Sequence, residues 1–458
     1  MNSSSLDVVI LAAGKGTRMR SSLPKVLHRL AGVSLLEHVI RLAQVLKPDT
    51  IHVVYGHGGD QVREQLKHLN VNWVRQEPQL GTGHALQQAM PGINAQMLLV
   101  LYGDVPLTRI ETLRALSQAA GNGGMALLTA ELSDPSGYGR IVRDASGRVT
   151  RIVEQKDATE IERAICEIYT GILLAPVARL KQWLAALSNK NSQGEYYLTD
   201  VIGMAAHEGQ EIGSAQPQAE WEILGVNSKA QLAELERIHQ RNQANVLMEQ
   251  GVTLMDPARF DLRGTLTCGQ DVVIDVNVVI EGNVKLGDRV KIGPNNVLRD
   301  CTIGADTNVL PNCVIESTEI GSACRIGPFS RFRPEARVLD HAHIGNFVEI
   351  KKSVIGIGSK VNHLTYVGDS TVGKNVNIGA GTITANYDGA NKHQTEIADN
   401  ASIGSNVVLV APVKIGSGAT IGAGSVISKD APTGELTLSR AKQTTVPGWK
   451  RPVKKPKE

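Results

Sequence analysis

The sequence offers little that would direct the chain to a membrane, to nucleic acid or to an oxidising compartment. Its 458 residues carry a formal net charge of only +3, so no strong global field favours nucleic acid or an acidic membrane surface. No stretch approaches the roughly 20 apolar residues of a membrane span, and no basic and apolar leader typical of a secretion signal begins the chain. The five cysteines form no CxxC pair, which favours a reducing compartment. We therefore expect a cytoplasmic protein with neither nucleic-acid nor membrane partners.

The second half of the chain repeats with a period of six residues. Over residues 274–427 an aliphatic residue begins most hexads, and at thirteen positions a glycine follows it in phase. These positions are Leu286, Ile292, Ile303, Ile320, Ile326, Ile344, Ile355, Val367, Val372, Ile378, Ile403, Ile415 and Ile421. Such hexads are typical of a parallel β-helix, whose coils are stable only when stacked.

Four steps of five residues interrupt the six-residue period. They follow Leu298, Ile315, Ile350 and Val367. Three hexads with one shortened step make a coil of 17 residues, and three full hexads make 18. We expect about ten such coils, stacked at the usual strand spacing.

The first half alternates apolar strands with helix-length segments. Strands are predicted at 7–12, 51–54, 97–101 and 125–129, and helices at 35–46 and 84–89. This alternation predicts an α/β sheet whose ligands bind at the carboxyl ends of the strands.

An amphipathic helix is predicted between the two halves, over residues 228–250, because leucines and isoleucine recur at helical spacing before Gly251. The predicted domains are therefore 1–229, a helical linker at 230–250, and 251–458 with a C-terminal tail. The tail contains five basic residues and is expected to be a solubilising end. These residues are Lys450, Arg451, Lys454, Lys455 and Lys457.

Residues suited to phosphate chemistry follow two predicted strands. Strand 7–12 leads into a glycine-rich turn at 14–19, with Lys15, Arg18 and the later Lys25 supplying positive charge. The turn lacks the earlier glycine of a P-loop and the third glycine of a dinucleotide fingerprint. Asp104 follows strand 97–101 beside Gly103, a position from which a carboxylate can hold Mg²⁺ against phosphate oxygens.

Three departures from the hexad pattern mark a second candidate site. One coil contains His363 and Tyr366, and an inserted loop replaces the hexads at 384–396. Basic residues also follow an aliphatic lead at Arg333 and Lys351. Acyl transfer to an amine needs a base that works near pH 7 and cations for a substrate phosphate, and these residue types supply both.

The segment 11–19, followed by Pro24-Lys25, resembles the signature of sugar-1-phosphate nucleotidylyltransferases. With its long hexapeptide prism, the whole chain resembles the family of bacterial bifunctional N-acetylglucosamine-1-phosphate uridylyltransferases/glucosamine-1-phosphate acetyltransferases. The resemblance implies a Rossmann-like α/β domain, a helical linker and a left-handed parallel β-helix, assembled as a homotrimer. It also implies Mg²⁺ as cofactor, with UTP and acetyl-CoA as co-substrates.

The resemblance assigns a set of nucleotide- and sugar-binding residues to the first domain. In this sequence they are Leu11, Ala12, Ala13, Gly14, Arg18, Lys25, Gln76, Gly81, Thr82, Tyr102, Gly103, Asp104, Gly139, Glu154, Tyr169 and Asn227. Gln76 with the turn Gly81-Thr82 would read the uracil, and Asp104 with Asn227 would bind the metal. At Tyr169 the chain departs from the family, which has asparagine there. A phenol cannot reproduce an amide's paired donor and acceptor, so the Tyr169 side chain is not expected to replace that sugar contact.

The resemblance likewise assigns residues of the second domain, with His363 as the general base. Substrate-binding residues would be Arg333, Lys351, Tyr366, Asn377 and Lys392. Acetyl-CoA-binding residues would be Ala380, Asn386, Tyr387, Ser405, Ala423 and Arg440.

The implied function is two consecutive transfers that make UDP-N-acetylglucosamine for peptidoglycan and lipopolysaccharide synthesis. Acetylation of glucosamine-1-phosphate would precede uridylylation of the product. Two alternatives stay open at this stage: a sugar-1-phosphate nucleotidylyltransferase with a purely structural β-helix, and a non-catalytic assembly subunit. A catalytic prism is favoured by the combination of His363, Tyr366 and the loop at 384–396. The assembly subunit is disfavoured by the presence of Lys25, Asp104 and Asn227.

Overall fold

The computed structural model describes residues 5–56 and 58–454. The first four residues, where a secretion signal was sought, and the tail residues Lys455 and Lys457 lie outside the described residues. The chain divides into two compact units, Met1–His239 and Gln240–Glu458. No helix in the described part of the chain is long and apolar enough to cross a membrane.

The first unit is built on a mixed sheet with helices. Its strands are β1 (Leu6–Ala12), β2 (Arg29–Leu30), β3 (Val33–Ser34), β4 (Thr50–Tyr55), β5 (Asn72–Arg75), β6 (Met97–Tyr102), β7 (Met125–Glu131), β8 (Gly139–Arg143), β9 (Val149–Val153), β10 (Glu167–Pro176) and β11 (Ile212–Ala215). The helices of the chain are α1 (Leu35–Val45), α2 (Gly59–Gln65), α3 (Thr82–Ala89), α4 (Ile110–Ala119), α5 (Glu160–Arg163), α6 (Val177–Ala186), α7 (Asp200–His207) and α8 (Lys229–Glu249). All four predicted strands and both predicted helices of this half are present.

The main path of the sheet runs β11-β7-β10-β6-β1-β4-β5. Strands β1, β4, β5 and β6 are mutually parallel, as expected for buried apolar strands. Strand β10 lies between β6 and β7 and is antiparallel to both, an insertion that the sequence patterns did not predict. The carboxyl ends of β1 and β6 are adjacent, so the glycine-rich turn and Asp104 emerge at one edge.

Local sequence explains why α1 begins and packs where it does. The hydroxyl of Ser34 caps the helix by accepting from the backbone N–H of Glu37 at 3.3 Å. Leu36, Val39 and Ile40 fall on one face at helical spacing and are buried against the sheet.

The second unit is a parallel β-helix made of short strands. They are β12 (Thr253–Leu254), β13 (Phe260–Cys268), β14 (Val273–Ile274), β15 (Val278–Leu286), β16 (Lys291–Ile292), β17 (Val297–Arg299), β18 (Thr302–Ile303), β19 (Asn308–Val309), β20 (Val314–Glu316), β21 (Thr318–Ile320), β22 (Arg325–Ile326), β23 (Arg331–Phe332), β24 (Ala336–Val338), β25 (His343–Asn346), β26 (Glu349–Lys351), β27 (Val354–Ile355), β28 (Lys360–His363), β29 (Tyr366–Gly368), β30 (Ser370–Val372), β31 (Asn377–Ile378), β32 (Ile383–Ala385), β33 (Thr395–Ile397), β34 (Ser402–Ile403), β35 (Val408–Val410), β36 (Val413–Ile415), β37 (Thr420–Ile421), β38 (Val426–Ile427) and β39 (Leu436–Thr437). One face stacks eleven of them, from β12 to β39, which is slightly more than the ten coils predicted.

The hexad pattern explains the core and the corners of this unit. All thirteen aliphatic leads before glycine are at most 3% exposed. Each five-residue step contains one residue in the left-handed region, namely Asp300, Ser317, Lys352 or Asp369, with φ between 44° and 47°. Six-residue steps contain such a residue as well, for example Asn295 with φ of 60°, so a left-handed residue marks the corner of the coil in steps of either length.

The boundary between the two units falls after His239, within helix α8. Each part of the helix contributes residues to the core of its own unit. Leu235 is buried in the first unit against Met19 and Leu30, whereas Ala244 and Leu247 are buried in the β-helix core. Gly251, with φ of 95°, follows the helix and favours its termination.

Candidate functional site

A cavity of about 440 Å³ opens at the carboxyl ends of β1 and β6. Most of the nucleotide-binding residues predicted in the first domain line it. They are Leu11, Ala12, Ala13, Gly14, Lys25, Gln76, Gly81, Thr82, Tyr102 and Asp104. Gly81 has φ of 106°, and a Cβ there would approach the carbonyl oxygen of Tyr196 to 2.7 Å. Only glycine can occupy this position without strain or collision. The absence of a side chain allows the turn before α3 to lie close to the cavity.

Lys25, Asp104 and Asn227 meet at one point, although they are far apart in sequence. The Lys25 ammonium lies 2.5 Å from Oδ2 of Asp104 and 3.1 Å from Oδ1 of Asn227. Two oxygen atoms therefore converge on one cationic group. One carboxylate and one amide oxygen, completed by phosphate oxygens, suit Mg²⁺. Within the described residues no group of three or more His, Cys, Asp or Glu side chains could form an all-protein metal cage.

A second cavity, of about 260 Å³, shares Tyr102 and Asp104 with the first. Arg18 and Asn227 line it. Of these two cavities, Gln76 and Gly81 line only the first. Asp104 therefore borders both cavities.

Glu154 and Gly139, two of the predicted sugar-binding residues, lie next to each other in the first unit. Glu154 accepts a hydrogen bond from the Thr199 hydroxyl at 2.9 Å, and burial raises the pKa of its carboxyl group. Burial, together with the charges of Glu154 and Asp104, also raises the pKa of Tyr102. Gly139 pairs with Tyr169 across β8 and β10. A Cβ at Gly139 would press on Ile152 at 2.8 Å.

Tyr169 is a buried residue whose hydroxyl is engaged with the backbone. Its hydroxyl donates to the carbonyl oxygen of Gly171 at 2.7 Å, at the point where the pairing of β10 with β7 shifts register. Burial raises the pKa of this phenol. The phenol is the donor in a backbone hydrogen bond, so its hydroxyl proton is already engaged within the protein.

In the β-helix, several predicted residues share one column at a corner of successive coils. Asn346 pairs with His363, and backbone hydrogen bonds continue the stack to Ala380, Ser405 and Ala423. The Arg440 guanidinium donates to the carbonyl oxygen of Ala423 at 3.0 Å. Asn377 is exposed on β31, three residues before Ala380 in the sequence. The predicted base is therefore followed on the next coils by three of the residues predicted to bind acetyl-CoA.

Asn346 is a functional candidate that the sequence analysis missed. Its Oδ1 lies 2.9 Å from Nδ1 of the exposed His363. With this acceptor at Nδ1, the ring keeps its proton there and leaves Nε2 free to accept a proton. In the sequence, only the spacing of 17 residues between Asn346 and His363, which equals one coil, could have indicated that the two side chains meet.

A cationic cluster occupies the next corner of the coil. Arg333 and Lys351 follow β23 and end β26, which stack on each other, and the inserted loop brings Lys392 against Lys351. The neighbouring Lys392 ammonium lowers the pKa of Lys351. The aromatic ring of Tyr366 extends over Gly368, where a side chain would collide with it. Three adjacent cations form a binding site suited to a phosphate.

The inserted loop is anchored at its first residue. The buried amide of Asn386 donates to the carboxylate of Asp369, while Tyr387 is 61% exposed and donates to the carbonyl oxygen of Gly389 at 2.6 Å. In a single chain, strand β29 separates the His363 column from the cationic cluster, so the fold places these two groups of predicted residues at successive corners.

Comparison with known proteins defines the class of the chain. The family model of the MobA-like NTP transferase domain matches residues 8–253. That of the bacterial transferase hexapeptide (six repeats) matches residues 266–300 and 394–429. The chain is therefore a transferase that joins a nucleotidyltransferase domain to a hexapeptide-repeat β-helix.

Full-length relatives identify the family within this class. The chain is 61% identical to the bifunctional protein GlmU of Ralstonia pickettii over 454 residues, which cover 99% of this chain and all of the relative. It is 62% identical to that of Ralstonia nicotianae over the same shares, and 60% identical to that of Aromatoleum aromaticum over 98% of this chain and 99% of the relative. The chain belongs to the family of bifunctional GlmU proteins. The family prediction made from the sequence is thereby confirmed, together with its architecture and its pair of activities.

Proposed function

We propose that the two activities of this enzyme family are performed by the two sites described above. The β-helix acetylates glucosamine-1-phosphate with acetyl-CoA. The first unit then transfers a uridylyl group from UTP to the product, giving UDP-N-acetylglucosamine and pyrophosphate. The observation that carries the assignment is the presence of two separate constellations, Lys25-Asp104-Asn227 in one unit and His363 with its column in the other.

In the first unit, phosphate binding and orientation carry the chemistry. Lys25 and Arg18 bind the triphosphate, and the glycine-rich turn lets its backbone approach it. A phosphate oxygen of the sugar phosphate forms a bond to the α-phosphorus of UTP, and the bond to the β-phosphate oxygen breaks as pyrophosphate leaves. The nucleophile is already ionised, so no general base is needed, and fixed geometry with positive charge supplies the acceleration.

The metal assignment follows from the oxygen atoms that face Lys25. Asp104 and Asn227 would hold Mg²⁺, which when bound neutralises charge on the transferring phosphate groups. Gln76, with the turn at Gly81 and Thr82, receives the uracil. Tyr102, Gly103, Gly139 and Glu154 lie toward the sugar, whereas the Tyr169 side chain takes no part because its hydroxyl is bound to Gly171.

In the β-helix, His363 is the general base. Its Nε2 removes a proton from the glucosamine ammonium, the free amine attacks the thioester carbonyl, and the carbon–sulfur bond breaks to release coenzyme A. Arg333, Lys351 and Lys392 bind the sugar phosphate, with Tyr366 and Asn377 beside it. The cofactor groove is lined by Ala380, Asn386, Tyr387, Ser405 and Ala423. Arg440 lies at its far end.

We also infer that the protein works as a homo-oligomer, and specifically as a trimer. The His363 column and the cationic cluster lie at successive corners of one chain, and a neighbouring copy would bring the two kinds of corner together. An apolar ridge next to His363 supports this. It consists of Phe329, Phe347 and Leu364, which are 49%, 55% and 64% exposed. The cytoplasm, where UTP and acetyl-CoA are made, is the expected location.

The function is tested by following both half-reactions with the wild-type protein. Free thiol should appear from acetyl-CoA only when glucosamine-1-phosphate is present. Pyrophosphate should appear from UTP and N-acetylglucosamine-1-phosphate only when Mg²⁺ is added. Pyrophosphate formation without thiol release would reduce the β-helix to a scaffold and favour the single-activity alternative. Neither product would favour the non-catalytic subunit.

A further inference from the structure

The amide group of Gln76 is held in one orientation by Gly81 and His84. Its Nε2 lies 3.0 Å from the carbonyl oxygen of Gly81, which can only accept a hydrogen bond. The same nitrogen lies 3.1 Å from Nδ1 of His84. Both N–H groups of the amide therefore have acceptors. Since Gln76 lines the cavity, we infer that Oε1 is the atom of this amide left for a ligand.

This arrangement requires the imidazole of His84 to be neutral, with its proton on Nε2. The amide nitrogen of Gln88 lies 3.1 Å from Nε2. Because Gly81 fixes the orientation of Gln76, the Gln88 amide is the one that must turn over, so that its oxygen accepts the proton of Nε2. Burial lowers the pKa of His84, which keeps the ring neutral at pH 7. The ring also lies beside Tyr196, with ring centroids 6.3 Å apart. His84 therefore stands behind Gln76 as a fixed acceptor.

We propose that His84 is a positioning residue that sets nucleobase specificity by holding Gln76 with Oε1 toward the base. The inference rests on the proposed function, in which this cavity receives the base of a nucleoside triphosphate. A fixed acceptor pairs with a base that presents an N–H at that edge, as uracil does at N3. Cytosine presents a lone pair at N3, and two opposed acceptors in a closed site are strongly disfavoured.

Removal of the His84 acceptor frees one of the two N–H groups of Gln76. The contact with Gly81 alone then opposes rotation of the amide, and the rotated amide can donate to cytosine. The loss should therefore appear as reduced discrimination between bases. It should affect the KM for UTP more than kcat, because the base does not react and contributes equally to ground-state and transition-state binding.

The test compares kcat/KM for UTP and for CTP in three proteins, with N-acetylglucosamine-1-phosphate and Mg²⁺. His84→Leu removes the acceptor, whereas His84→Asn keeps an amide oxygen near the position of Nδ1. We expect the UTP:CTP ratio to fall by about 10-fold or more in His84→Leu and to stay within about 3-fold of wild type in His84→Asn. Circular dichroism of each variant, together with its kcat at saturating UTP, reports whether the first unit is folded.

Three outcomes separate the possibilities. An unchanged UTP:CTP ratio in His84→Leu, or an equal loss with both nucleotides, would overturn the role of His84. A ratio that falls equally in both variants would also contradict it, since the acceptor in the asparagine variant should suffice. A wild-type protein that uses neither nucleotide would instead refute the proposed function of this cavity.

Discussion

Asn346 favours one tautomer of His363, the residue that we propose as the general base of acetyl transfer. Its amide oxygen faces Nδ1 of His363 at 2.9 Å, one coil below, and so favours the tautomer whose Nε2 can act as a base. A second group behind a general base commonly fixes its orientation as well. Activity at the acetyltransferase site should therefore respond to changes at Asn346 even though this side chain need not contact substrate.

Two substitutions separate orientation from charge at this position. Asn346→Ala should lower kcat for thiol release by about 10-fold, because the ring loses its fixed tautomer. Asn346→Asp should move the acid limb of the pH–rate profile to higher pH by about one unit, because a carboxylate favours the charged imidazolium. The profile from pH 5 to 9 is the measurement. A profile identical to wild type in Asn346→Asp would contradict the contact, and circular dichroism of each variant serves as the folding control.

Some candidate site residues could be predicted from the sequence because they stand in local motifs, whereas others could be found only from contacts in the folded chain. Lys25, Asp104 and His363 stand in recognisable local motifs, so their roles could be predicted. His84 and Asn346 act through another side chain, and that geometry depends on how the chain folds. The departure at Tyr169 was visible in the sequence, but its hydrogen bond to Gly171 could be found only in the structure.

At the scale of elements, two corners of the β-helix hold bulky aromatic residues in the left-handed backbone conformation, which such residues rarely adopt. Phe329 and Phe347 have φ of 55° and 56°, a region that bulky residues rarely adopt and that costs about 1–2 kcal/mol. Their rings stack at 5.3 Å between centroids and are largely exposed. Two aromatic side chains in this conformation, followed by the exposed Leu364 on the next coil, indicate a surface that is covered in the assembled protein.

This apolar ridge predicts a mutation that weakens assembly. Phe347→Ser should lower the average mass measured by light scattering toward that of one chain on dilution, because an aromatic anchor in an interface commonly contributes about 2 kcal/mol or more. The wild-type protein should have three times the mass of the chain. Ile161→Ser, an equally apolar substitution at a position 85% exposed on α5, is the matched control and should leave the mass unchanged. A wild-type mass of one chain, or a Phe347→Ser mass equal to wild type, would refute the ridge as an interface.

At the scale of the whole molecule, most of the architecture followed from periodicity. A six-residue period can be satisfied only by stacking, so the β-helix and its inward residues were predictable from the sequence. Strand β10 was not, because its antiparallel place between β6 and β7 depends on pairing with strands far away in sequence. The division of the chain after His239, inside α8, likewise reflects which core each half of the helix joins.

We propose that one chain of this protein has two independent active sites. The most direct test assays Lys25→Ala and His363→Ala in both half-reactions, with circular dichroism to confirm folding. We expect Lys25→Ala to lower pyrophosphate formation by about 100-fold or more with thiol release unchanged. His363→Ala should lower thiol release by about 100-fold or more with pyrophosphate formation unchanged. A folded variant that loses both activities together, or that retains both, would contradict the assignment of the two reactions to these two sites.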